Sequence, residues 1–137
     1  MKKLGALLAF AATFIGGPSL AEQRHIPHTQ LEEMFSNIQT QTPWDLSGNM
    51  LWGYFFTAPD KDELEKIAAQ LVTEGYTLVE IRKLDSINND YQLHVERVET
   101  HSVDSLDKRN SALEEMAGHF TSVIYDGMDV GPAEKSK

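Results

Sequence analysis

The sequence predicts an α+β domain, a ferredoxin-like βαββαβ sandwich with a four-stranded antiparallel sheet, two helices on one face and an extra N-terminal amphipathic helix. Three observations predict it. An aromatic run, MLWGYFFTA (50–58), leads directly into an acid-capped amphipathic helix. Two alternating segments, YTLVEIRKLD and YQLHVERVET, flank SINND, a turn of hairpin length. A second amphipathic helix then runs into TSVIYD, a short β-branched stretch. Strand–helix–strand, twice over, is the split βαβ pattern repeated.

Each element has a local cause. Residues 50–58 are too apolar and aromatic for an edge, so they read as a central strand. Gly53 within them signals a bulge or a close approach. In PDKDELEKIAAQLVTEGY, Leu64, Ile67, Ala68, Leu71 and Val72 form one stripe. Pro59 and Asp60 mark its start, Gly75 its stop, and Asp62 with Lys66 is a favourable spaced pair. The second helix spans roughly 104–119, with Leu106, Leu113, Met116, Ala117 and Phe120 inward and Asp104 or Ser105 as the cap. Polar Arg109 and Asn110 interrupt that face. Upstream, Leu31, Met34, Phe35 and Ile38 make a stripe over TQLEEMFSNIQTQ, which Thr29 can cap with Glu32 three residues on.

The chain has 137 residues, so one domain is expected. Residues 1–21 read as a secretory signal peptide: a basic MKK start, an apolar run and a small-x-small site ending at Ala21. The apolar run is shorter than the ~20 residues that span a bilayer, so no membrane anchor is expected after cleavage. The remaining divisions are an arm, short helix and connection over 22–49, the domain over 50–130, and a tail over 131–137. Loss of Lys2 and Lys3 leaves 10 basic against 21 acidic residues, a charge of −11. Such a surface repels nucleic acid and anionic lipid. With no cysteine, thiol chemistry and disulfides are excluded and the fold rests on its core.

The helix running into VIYDG, the aromatic strand WGYFFTAPD and the TEGY helix stop together resemble the regulator of ribonuclease E activity B (RraB) family, from about Leu51 to Val130. Family members commonly continue Tyr-Asp-Gly-Trp; here Met128 stands at the Trp position. The resemblance implies a protein that binds an endoribonuclease and dampens RNA cleavage without doing chemistry itself. Export would separate the chain from that partner. The expectation is therefore an exported, non-catalytic protein-binding module in the periplasm or secreted, with an inhibitor or immunity-type role towards another protein. The alternative is a small periplasmic metal-binding protein or enzyme using histidines.

No catalytic residue, cofactor or metal site is assigned from the sequence. His25 and His28, three apart, lack further ligands nearby and read as part of a flexible arm. His94 reads as a solvated strand residue. Tyr125, Asp126 and Gly127 read first as a strand terminator, with Gly127 at positive φ, and secondly as a binding trio. The other candidate binding residues are Glu80, Arg82, His94 and Glu96. With both long helices on one side, Val79, Ile81, Leu93 and Val95 would face them. Leu78, Glu80, Arg82, Gln92, His94 and Glu96 would then line the far face, with either Leu51, Gly53 and Phe55 or Trp52, Tyr54 and Phe56. That face either receives a protein partner or is covered by the N-terminal helix, which must bury its stripe somewhere.

Overall fold

The computed structural model describes residues 10–12, 25–85 and 90–133. The elements are β1 (Phe10–Ala12), α1 (His28–Gln41), β2 (Met50–Ala58), α2 (Lys61–Thr73), β3 (Thr77–Lys83), β4 (Tyr91–Glu99), α3 (Val103–Gly118) and β5 (Ile124–Pro132). The sheet order is β1-β5-β2-β4-β3, and every neighbouring pair is antiparallel. The four long strands form the sheet expected from the sequence, with β2 central. Strand β1 adds three residues at the outer edge of β5, from within the apolar run assigned to the leader. The proposed cleavage point after Ala21 and most of the SINND turn lie outside the described residues.

Alternation in β2 decides which aromatic set meets the helices. Trp52, Tyr54 and Phe56 are fully buried, whereas Leu51 and Phe55 are partly exposed on the opposite face. Leu93 and Val95 of β4 share the buried side, as do Met128 and Val130 of β5. Helices α2 and α3 contribute Leu64, Ile67, Leu71, Leu106 and Leu113 to the same core. Val72, assigned to the α2 stripe, is 48% exposed, because its position has rotated past the sheet. The spaced ion pair in α2 is Lys61–Glu65 at 4.0 Å, not Asp62–Lys66.

Helix α1 settles on the helix side. Leu31, Met34 and Ile38 join the single core, and Phe35 stacks on Trp52 with ring centroids 6.2 Å apart. Its stripe is therefore satisfied beside α3, and it does not cover the opposite face. Its N-cap is Pro27 without a side-chain bond, so Thr29 does not cap it. Helix α3 is capped by Ser102, which accepts from the Ser105 amide while the Ser105 hydroxyl accepts from the Ser102 amide. Ser102, not Asp104 or Ser105, is the capping residue because the helix begins one turn position earlier. Asp60 caps α2 as expected, accepting from the Asp62 amide at 3.0 Å. Helix α2 ends on Gly75 at φ 102°, with Tyr76 N–H donating to the Leu71 carbonyl and Gly75 N–H to that of Val72. That paired pattern closes the helix and requires the left-handed conformation glycine permits.

Two bulges change the expected pattern. Phe55 pairs with Gly127 but Phe56 with Tyr125, so Asp126 is an extra residue in β5. Gly127 has φ 115°, the positive value expected from the sequence. It does not terminate the strand, however; β5 continues to Pro132 because the chain is bent and not released. On β3, Leu78 pairs with Val95 and Glu80 with His94, leaving Val79 as the extra residue. Leu78 thus belongs to the row of Val95 and not to the far face, and Val79 does not point into the core, being 42% exposed.

Candidate functional site

The sheet face opposite the helices carries an ordered set of polar and aromatic side chains. Register builds its rows. Glu80, His94, Phe55 and Gly127 stand side by side across β3, β4, β2 and β5. Thr77, Glu96, Gly53 and Asp129 form the next row. Arg82 and Gln92 lie beyond the first, with the Arg82 Nη2 donating to Gln92 Oε1 at 3.3 Å. Arg82 Nε is 3.9 Å from Glu80 Oε2.

The centre of the face is made by an absence of side chain. His94 stacks on Phe55 with centroids 4.4 Å apart and planes at 20°. A Cβ on Gly53 would lie 2.8 Å from His94 Nε2 and 2.5 Å from Asp129 Oδ1, so only glycine lets both groups close over β2. This is the close approach that Gly53 signalled in the sequence.

Electrostatically the face is acid-rich among the described residues. Burial, reinforced by the like charge of Glu96, pushes Asp129 up to about 6 against the lowering bond from Gly53. Burial also pushes Asp126 up to about 6, with Asp90 adding repulsion and a Gln92 hydrogen bond partly opposing. Burial raises Glu96 as well. Burial lowers His94, Glu80 opposes and Arg82 adds to the lowering, so this imidazole favours its neutral form. Among the described residues, four carboxylates, Glu80, Glu96, Asp126 and Asp129, thus share a surface with one guanidinium, that of Arg82.

Of the residues singled out from the sequence, Glu80, Arg82, His94, Glu96 and Asp126 come together here. Tyr125 does not. It is 4% exposed in the core, and its hydroxyl donates to Asn110 Oδ1 at 2.7 Å. Gly127 acts through the backbone, turning the bulge at which Asp126 is inserted. Asp129 was missed because the strand was ended at Asp126, and the bulge there shifts the alternation: period two continued from buried Tyr125 would have put Asp129 on the covered side.

A second polar cluster lies on the covered side. Glu99 accepts from Arg109 Nη2 at 2.5 Å and from the Tyr54 hydroxyl at 2.6 Å, and lies 2.9 Å from His101 Nε2. His101 Nδ1 meets the Ser105 hydroxyl at 2.8 Å. Arg97 and Arg109 both stand over the Tyr76 ring. Burial works to raise Glu99, but bonds from His101, Arg109 and Tyr54 overcome it and hold the carboxyl at about 2. Arg109 and Asn110, which interrupt the α3 stripe in sequence, are therefore partners for Glu99 and Tyr125.

The N-terminal arm is docked where a loose segment was expected. His25 lies between Asp107 and Glu114, 2.8 Å from each, and His28 Nε2 is 3.1 Å from Asp104. These contacts pin residues 25–28 along α3. Among the described residues, no group of three or more His, Asp or Glu side chains is placed to hold a metal ion. No described helix is long and apolar enough to cross a membrane.

Fold and face define a class: an antiparallel α+β domain with three helices on one side and an acidic face that no described helix covers on the other. The chain matches the family model described as regulator of ribonuclease activity B, RraB, over residues 28–130, and it belongs to that family. No curated protein matches it.

Proposed function

We propose that this chain is a non-catalytic regulatory module that binds another protein on the open sheet face. The observation that carries the proposal is the excess of carboxylates over cations among the described residues beside the Phe55–His94 stack, on a face that α1 leaves uncovered. Mixed polar and aromatic composition suits recognition. The family's description, a regulator of ribonuclease activity, supports a regulated enzyme as the partner. The leader-like residues 1–21 favour export, and with it a periplasmic or secreted partner towards which the domain acts as inhibitor or immunity protein. A chain retained in the cytoplasm would instead have ribonuclease E as its natural target. The order β5-β2-β4-β3, with a helix after the first and third long strands, supports the ferredoxin-like arrangement. The histidine-based alternative has less support, since His25 and His28 are engaged by acids of α3 and α1.

The test is a paired charge reversal, Glu80→Lys with Glu96→Lys, in the full chain. It is expected to abolish capture of a partner from the host's extract while leaving Tm unchanged. Full capture by the variant would move the site off this face. Localisation is tested separately by intact mass: export predicts a species beginning at Glu22, and a full-length cytosolic species restores the ribonuclease as partner.

A further inference from the structure

We propose that the outer edge of β5 is a strand acceptor, occupied in this chain by residues 10–12 and able to take an extended segment of another protein in their place. The sheet has two edges, and they differ. On β3, the bulge at Val79 and the charged Glu80, Arg82 and Lys83 interrupt the ladder and guard it against pairing. On β5, residues 128–130 are regular, and they already hold a strand: Phe10 pairs with Val130, Ala11 with Asp129 and Ala12 with Met128. The chain itself thus shows that this edge accepts antiparallel addition, a recurrent mode of peptide recognition.

The register also states what the incoming strand must carry. Apolar or small residues face Met128 and Val130, and the residue facing Asp129 must not be acidic; alanine stands there now. A second copy of this chain is a poor occupant. Pairing β5 with itself about its 128–130 stretch sets two Asp129 carboxylates opposite one another, which is destabilising. A foreign segment with a small or basic residue between two apolar ones fits. Residues 10–12 belong to the leader-like region, so removal of that region would free the same edge. This inference concerns the sheet edge and stands apart from the open-face proposal, whose charge reversals at Glu80 and Glu96 leave the edge intact.

Amide hydrogen exchange on the full chain tests it. Successive residues of a strand alternate in donating to one neighbour, so Ala11→Pro with Ala12→Pro must remove a bond to β5. Exchange at residues 128–130 is expected to accelerate about tenfold or more while the β2–β4 ladder stays protected. A synthetic peptide with the sequence of residues 8–14 should restore the slow exchange, and so should its Ala11→Lys form. The Ala11→Asp form should not. Unchanged exchange in the variant, failure of every peptide, or equal restoration by the Ala11→Asp peptide would each overturn the proposal. If the prolines also release the β2–β4 ladder, a labelled peptide is titrated into the unaltered chain instead. Saturable binding then supports the acceptor edge, and none up to the solubility limit refutes it.

Discussion

The two faces of the sheet treat carboxylates in opposite ways. On the covered side Glu99 is surrounded by donors from Arg109, Tyr54 and His101, and its carboxyl lies at about 2. On the open side Asp126 and Asp129 are half-buried beside other acids, and both lie at about 6. The first arrangement is complete within the chain, so it serves the fold. The second keeps charge partly desolvated, and no cation among the described residues acts on Asp126 or Asp129. A protein retains such a cost where something outside the chain supplies the missing partner. The two sets of acids differ in completeness of partnering, not in burial alone, and the proposed function rests on that difference.

The largest effect is expected on the covered side. Glu99→Ala leaves Arg109 and His101 without their acceptor and should destabilise the fold by about 3 kcal/mol, seen in thermal or denaturant melts. If Tm stays put, the cluster is not the structural side of the comparison. Next, Gly127→Val forces a β-branched residue to φ 115° at the bulge and should cost roughly 2 kcal/mol. It should also disturb the placement of Asp126, so that chemical shifts of Gln92 move with it.

A smaller change of opposite sign is expected on the open face. Both aspartates have folded values of about 6, above the ordinary 3.8. Between those values the native state keeps protons that the unfolded chain has released, so stability falls as pH rises through this window. Asp126→Asn with Asp129→Asn should therefore raise stability by roughly 1–2 kcal/mol at pH 7.5 and add nothing near pH 3.5. Glu99 works the other way: its contribution is present above the ordinary 4.5 and is lost as pH falls towards 2. A double variant that is less stable at pH 7.5 would show that the open-face acids are structural after all.

The smallest effect belongs to the arm. His25 is raised by its bond to Glu114, with burial opposing and Asp107 adding to the rise. Its contribution is full below 6.5 and disappears as pH climbs through the raised value. Because the site is largely exposed, His25→Ala should cost only about 0.5 kcal/mol at pH 5.5 and nothing at pH 9. Melts at the two pH values check it.

Much of this was legible in the chain. The α2 boundaries follow from Asp60 and Gly75, and the central place of β2 from its run of aromatics. Glu80, Arg82, His94 and Glu96 share a face because strands alternate with period two, and that period was read on β3 and β4. The errors on the sheet came from single-residue insertions. A bulge at Val79 moved Leu78 to the other row, and one at Asp126 carried β5 past the point where a terminator was expected. Neither insertion has a period of its own, so no local pattern announces it. The Glu99 cluster was invisible for another reason: its members are spread from residue 54 to residue 109, and each alone looks like an ordinary surface polar group.

By itself, then, the sequence determined the three helices, the four long strands and their order, though not β1, because capping, helical periodicity and strand alternation are written within a dozen neighbouring residues. It also determined the acidity and the dependence on an apolar core without disulfides. Only the tertiary structure decided where α1 lies. Its stripe could have covered either side of the sheet, and Trp52 with α3 gave it a partner on one. That choice left the far face open. It is a matter of packing between segments distant along the chain, and register and shape complementarity across such distances are not encoded in any local run of residues.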